Sequence, residues 1–401
     1  MTGSAETLRS DRRADIDSLR VCALLLLIVY HVLLVFNSWD FWRVKSEHAG
    51  YWADYITGIL TPWRMSLVFF VGGVAARYMI SRMRPGAFVL DRAGKLLTAF
   101  VFAVVVLVPL QRYVRLDNTG ATPMPYLDYL LHQARYVVSH AGMWLPDFAH
   151  AWFLPYLFVY AALAAAFFHV LPTAFARAEQ RFDALPAWVI VGGVMIWFSL
   201  IEVAVWPQYP VSGLLFPDVG AHVKFAPLFF LGFLLGRSEA FTRKLVAMRT
   251  PLCLTAATLF AVSVALQWTE VGMDATRDAR ALGWFFARGL YGGAMLFSVV
   301  AFGAWALNKP SNALTYATDA ILPVYLMHQT VLVIVADRIV GHGLALADEI
   351  IVLLAATALI PLLIYHLLIR HTAWLRVLFG LRAHPRAPQR EGQDIVGQTA
   401  H

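Results

Sequence analysis

An all-α, polytopic integral membrane protein of about ten transmembrane helices, both termini in the cytoplasm, is the fold class that this sequence predicts. Three observations predict it. Only 14% of the 401 residues are charged and mean hydropathy is +0.64, whereas soluble domains carry about 25% charged residues. Apolar runs of about 20 residues recur along the chain, long enough to cross a hydrocarbon core and lacking the alternation of strands. The basic residues cluster in alternate short connections, the pattern that fixes orientation in a bilayer.

Ten spanning segments follow, at 19–37, 55–80, 94–112, 150–171, 186–206, 222–237, 251–268, 284–306, 316–338 and 348–371. The sixth is short and starts after Pro210, Pro217 and the polar Lys224, so it is the weakest by pattern. With ten segments both termini share a side, and that side collects 21 of the 32 basic residues. The bias places residues 1–18 and 372–401 in the cytoplasm around a membrane domain at 19–371. The polar stretch 381–401 is expected to be disordered. The first apolar stretch runs into Asn37-Ser38-Trp39-Asp40 with no small-residue cleavage pattern, so it is expected to remain a helix. The longest connection, 113–149, is expected outside. It contains YLDYLLHQARYVVSH (126–140), a candidate extracytoplasmic or interfacial helix.

Composition also excludes. A net charge of +7 would suit a nucleic-acid partner, but here the basic residues sit in short loops and serve topology. Cys22 and Cys253 both lie in apolar segments and read as small core residues, neither a disulfide nor a metal site. No GxxxxGK[ST], HExxH, GxSxG or CxxC pattern occurs, so ATP hydrolysis, zinc proteolysis and elbow-serine hydrolysis have no support.

His31 is the most informative residue. It interrupts the apolar run Val21–Phe36, and an ionisable group at membrane depth marks function by default. Imidazole titrates near neutral pH, which suits it to take a hydroxyl proton. The plainer reading is a histidine that hydrogen-bonds a neighbouring helix. Arg20 lies eleven residues earlier, three turns and about 16 Å along the same face. It is a candidate for an anionic donor, or a positive-inside anchor paired with Asp17. His328 is a second intramembrane histidine at comparable depth, with Tyr325 one turn before it; the pair could complete a site with His31 or bond a neighbouring helix. Arg64 enters the membrane from the outer side and needs a partner or a wet cavity. Gly72 and Gly73 after it read as close helix packing. His150 lies at an outer mouth near Asp147, and Trp152 could anchor at the interface. Glu202, Lys224 and Arg288, near outer helix ends, read as snorkelling or paired groups.

These residues resemble the acyltransferase family 3 membrane proteins. Ile16-Asp17-Ser18-Leu19-Arg20 and His31 match that family's signature of Arg, ten residues and His. Arg64-Met65-Ser66-Leu67-Val68-Phe69-Phe70-Val71-Gly72-Gly73 resembles its R-M-P-L-F-F-F-I-S-G motif, His150-Ala151-Trp152-Phe153-Leu154 its H-x-W-F-L motif, and Pro323-Val324-Tyr325-Leu326-Met327-His328-Gln329-Thr330 its P-x-Y-x-x-H-Q-T motif. The four stand in family order across nearly the whole chain. One departure is plain: Gly72 stands where the family has serine, so no role passes to that position.

The resemblance implies ten helices in a bacterial inner membrane. It implies O-acyl transfer, usually of acetyl or succinyl, from cytoplasmic acyl-CoA (acetyl-CoA or succinyl-CoA) to a hydroxyl of an extracytoplasmic carbohydrate. The second and last motifs are most similar to the glucan succinyltransferase-like subgroup. On this reading His31, Arg20 and His328 are catalytic, and Arg64, His150, Trp152 and Tyr325 meet substrates, with no bound cofactor or metal. Its rival is a proton-coupled secondary transporter with His31 and His328 as relay, although no pair of broken helices in matching halves supports it. A third reading is a haem protein with the same two histidines as axial ligands.

Overall fold

The computed structural model describes residues 13–39, 42–118, 124–139, 148–267 and 279–384. Asp147, the N-terminal Arg9 and Arg12, and most of the polar tail lie outside these residues. Among those described, every regular element is helical. Nine helices are long and apolar enough to cross a membrane, or ten if a pair bent by 110° is one span.

The first helix, α1 (Ala14–Phe36), starts a turn earlier than hydropathy alone predicts, with Asp15 and Asp17 in its first turn, where carboxylates suit the positive helix end. The second expected segment is two helices, α2 (Tyr51–Leu60) and α3 (Arg64–Ile80), that together form one span. Pro62 explains the break: it has no N–H to donate to the helical ladder. At the break the carbonyl of Ile59 accepts from Trp63 Nε1 at 2.6 Å and from Tyr291 Oη at 2.7 Å.

The third span, α4 (Pro85–Arg115), contains π turns at Ala93–Leu97 and Ala103–Leu107. A π turn loosens the carbonyl ladder, and Thr330 Oγ1 reaches the Leu107 carbonyl at 3.3 Å. The long connection carries α5 (Tyr126–Ser139), the helix expected at 126–140. A 3₁₀ turn, Ala149–Trp152, opens α6 (Phe153–Val170), which is followed by α7 (Pro172–Ala184). The helix α8 (Ala187–Leu200) ends in a third π turn, Ile201–Val205.

The short sixth segment is α9 (Val219–Leu235), 17 residues long and bent by 110° against α10 (Glu239–Ala247). Seventeen residues reach about 26 Å, just short of the hydrocarbon core, which is why its pattern was the weakest. Then come α11 (Arg249–Gln267), α12 (Ala279–Ala306), α13 (Asn312–Ile339), α14 (Leu346–Leu367) and a terminal α15 (Ala373–Leu378).

Small residues let the central helices touch. A Cβ on Gly73 would stand 2.0 Å from the Phe229 carbonyl oxygen, and one on Gly232 would stand 2.1 Å from that of Phe70. The helices α3 and α9 therefore cross backbone to backbone, as small-residue interfaces in membranes do. Glu202 is paired, as its position suggested: Lys224 Nζ lies 2.8 Å from its Oε1, and Arg288 contacts its Oε2. The π turn thus aims one buried carboxylate at cations of α9 and α12.

Candidate active site

The site forms where α1, α3, α13 and the turn before α6 meet. His31 and His328, 297 positions apart, are hydrogen-bonded ring to ring: His31 Nδ1 to His328 Nε2 is 2.8 Å. His328 Nδ1 bonds the carbonyl of Tyr325, one turn back on its own helix. That carbonyl can only accept, so His328 carries a proton on Nδ1. With both rings neutral, His328 Nε2 offers a lone pair and His31 donates to it from Nδ1. His31 Nε2 then keeps a lone pair of its own. A carbonyl, a histidine and a second histidine thereby orient one basic nitrogen, the task that a carboxylate performs in a hydrolase triad.

Around His31 lies a cavity of about 100 Å³, lined by Leu27, His31, Arg64, Met65, His150, Trp152 and Tyr325. Five of the seven predicted site residues are in that lining. His328 is the sixth, fully buried behind His31. The turn Ala149–Trp152 is tied to α13 by two bonds: His150 Nε2 donates to the Leu326 carbonyl at 2.9 Å, and Tyr325 Oη donates to the His150 carbonyl. The His150 ring stands edge-on to His328, centroids 5.2 Å apart. Further along α13, Gln111 Nε2 donates to Thr330 Oγ1 at 2.8 Å and Gln329 Nε2 to Gln111 Oε1 at 3.1 Å. The last two residues of the late motif therefore lock α13 onto α4 and do not face the cavity.

Arg20 is the seventh, and it stands apart. Its side chain is 42% exposed and lies 3.7 Å from Asp17, three turns from His31. Asp17 thus takes the local role its spacing predicts. Arg64 is deeper than a residue at an outer mouth would be. It sits at the break within the Tyr51–Ile80 span, 7% exposed, its guanidinium 3.4 Å from the centroid of the Tyr30 ring.

Sequence reasoning missed Trp42. Its indole stacks on His31, centroids 5.6 Å apart and planes 14° apart. The segment after α1 folds back to bring it there. Lys45 Nζ donates to the carbonyls of Leu34 and Asn37 at 2.9 and 2.7 Å, and Ser46 Oγ donates to the buried Glu349 at 2.6 Å. No helical period connects residue 42 to residue 31. The only available signal was a cluster of aromatics, Trp39, Phe41 and Trp42, directly after the apolar run.

A second framework props the far wall. Asp218 accepts from Tyr156 Oη at 2.7 Å and from the backbone N–H groups of Ser212 and Gly213 at 3.0 and 2.7 Å. Gly213, at a φ of +75°, packs on Trp152, where a Cβ would come within 3.1 Å of the Trp152 Cβ. Among the described residues no group of three or more His, Cys, Asp or Glu side chains could hold a metal ion. The haem reading also fails on distance. Axial ligands on opposite faces of one iron, each at about 2 Å, stand about 4 Å apart, whereas these two nitrogens are 2.8 Å apart and bonded to each other.

Comparison with known proteins gives the family of the chain. The acyltransferase family 3 model, described as an acyltransferase domain, matches residues 13–366. Glucans biosynthesis protein C of Escherichia coli strain K12 is 24% identical over 361 residues, covering 83% of this chain and 85% of the relative. The protein of the same name from Shigella dysenteriae serotype 1 strain Sd197 is 24% identical over 346 residues with the same coverage. No solved structure matches the chain. The two histidines alone leave enzyme and transporter open, and the family match decides for the enzyme. A chain of this helical architecture, matched from Arg13 to His366, belongs to the acyltransferase family 3 and is a membrane acyltransferase.

Proposed function

We propose that this protein transfers an acetyl or succinyl group from acyl-CoA on the cytoplasmic side of a bacterial inner membrane to a hydroxyl of an extracytoplasmic glucan. The observation that carries the reading is the bonded chain from His31 at the cavity through His328 to the Tyr325 carbonyl, which in neutral rings leaves His31 Nε2 with a lone pair. His31 acts as the general base on the acceptor hydroxyl. His328 holds its tautomer and orientation. Arg20, at the cytoplasmic end of α1, meets the anionic donor. Arg64, His150, Trp152 and Tyr325 surround the reacting groups. The glucan acceptor is suggested by the name of the relatives. Moving only the acyl group spares the membrane the passage of a charged coenzyme, whose phosphates could not enter hydrocarbon.

Sealed inner-membrane vesicles supplied with labelled acetyl-CoA or succinyl-CoA on the cytoplasmic side test this. Label should reach glucan in the wild type, and His31→Ala at equal expression should lower the rate by roughly 10²- to 10⁴-fold, the usual worth of a positioned base. Transfer that persists in the variant removes His31 from the chemistry. A stable acyl adduct trapped on His31 reassigns it from base to nucleophile. No transfer with either donor to any glucan overturns the reading.

A further inference from the structure

Arg64 raises a question that acceptor contact does not answer. It is buried, and its Nε and Nη1 have no hydrogen-bond partner among the described residues. No carboxylate is among the residues that line the cavity it faces. The Tyr30 ring face meets the guanidinium charge at 3.4 Å, but a ring face does not satisfy in-plane N–H groups. Buried donors left unmade are expensive, charged ones most of all. Such a group is kept where something arrives to use it.

Arg64 is also the first residue of α3, a 17-residue helix whose N-cap, Trp63, makes no side-chain cap. The positive end of a helix favours negative charge, and uncapped N–H groups there can bond an anion. Met65, the next residue, lines the cavity too. Arg64 and Met65, the first two residues of α3, therefore line one small cavity together with His31.

On the acyl-transfer reading proposed above, and resting on it, we infer that Arg64 and the N-terminus of α3 form the oxyanion site of the reaction. The acceptor hydroxyl oxygen attacks the thioester carbonyl carbon, and a C–O bond forms. The carbonyl π pair moves onto oxygen, and His31 Nε2 takes the hydroxyl proton. Arg64 meets the oxyanion so formed. On collapse the carbonyl re-forms, the C–S bond breaks, and the thiolate leaves with the proton held by His31. Fixed donors aimed at charge that appears only in the transition state need no reorganisation when it develops.

The experiment is steady-state transfer by purified full-length protein in nanodiscs, with acetyl-CoA and succinyl-CoA in parallel, for wild type, Arg64→Gln, Arg64→Lys and Arg64→Ala. Arg64→Gln should lower kcat by about 10²- to 10³-fold. KM for donor and acceptor should move by less than threefold, and the loss should be equal for the two donors. Guanidinium ion added to Arg64→Ala should restore part of kcat, a response that a purely structural residue would not give. If Arg64→Gln does not elute as a single species, Arg64→Lys carries the test, with kcat down at least tenfold at unchanged KM. Three results overturn the inference. A rise in KM at constant kcat makes Arg64 a ground-state contact. A loss confined to succinyl-CoA makes it a clamp for the distal carboxylate. Wild-type kcat in Arg64→Gln, or in Arg64→Lys where that variant carries the test, removes it from the reaction. Each leaves wild-type transfer intact, whereas absence of wild-type transfer from either thioester strikes the acyl-transfer reading itself.

Discussion

His328 makes no contact with the cavity, yet the proton positions of the site are set through it. Its Nδ1 is held by the Tyr325 carbonyl and its Nε2 accepts from His31. Replacing it with leucine leaves His31 Nδ1–H without an acceptor and free to exchange tautomers. We expect His328→Leu to lower kcat roughly 10- to 100-fold at similar expression, as loss of an orienting partner does. His328→Gln, whose amide oxygen can accept from His31, should retain more activity than His328→Leu. Equal rates for both variants would show that no such orientation is needed. The residues of this chain were visible in the sequence as ionisable interruptions of apolar runs. Their bonding was not, because depth along a helix says nothing about which of ten helices is its neighbour. Trp42 was hidden for a related reason: the segment that carries it folds back against its own helix end, and hydropathy ends where that fold begins.

At the scale of helices, the glycine pair of α3 separates two functions that the sequence could only treat together. A Cβ on Gly73 collides with backbone, 2.0 Å from the Phe229 carbonyl oxygen. A Cβ on Gly72 meets the end of the Leu157 side chain at 2.9 Å, which can rotate away. We therefore expect Gly72→Ser to be accepted with less than about 1 kcal/mol of destabilisation. Gly73→Ala should push α3 and α9 apart at about 1–3 kcal/mol or more. Thermal midpoints in detergent, read side by side, check this, and an equal drop in both would disprove the distinction. The departure from the family at Gly72 is therefore a matter of one adjustable contact. The spans themselves were legible, because length and apolarity are what a bilayer selects. The break at Pro62 was not legible: the pattern runs as one segment over 55–80, while the structure makes Pro62 the hinge between two helices that share one crossing.

For the molecule as a whole, nine helices among the described residues, or ten counting the bent pair as one span, are long and apolar enough to cross a membrane. On the even count, we propose from the charge bias that both termini lie in the cytoplasm. In a cysteine-free background, His132→Cys on the exposed face of α5 should label with a membrane-impermeant maleimide added to intact spheroplasts. Arg177→Cys, on α7, should label only after lysis. Labelling of Arg177→Cys in intact cells would invert the topology and with it the sides assigned to donor and acceptor.

The bonded chain of rings ends on the Tyr325 carbonyl, an oxygen that accepts a hydrogen bond but does not take on a proton at neutral pH. A proton captured by His31 therefore has no exit through α13 and must return to the cavity, leaving on the thiolate. Viewed from the bilayer, the proposed reaction carries the equivalent of an acyl cation outward and a proton inward, and the two electrical displacements cancel. One uncompensated charge would tie the rate to the membrane potential at about 2.3 kcal/mol per 100 mV. The balanced exchange makes the enzyme electrically silent, so vesicles clamped at different potentials with valinomycin and potassium should acylate glucan at one and the same rate.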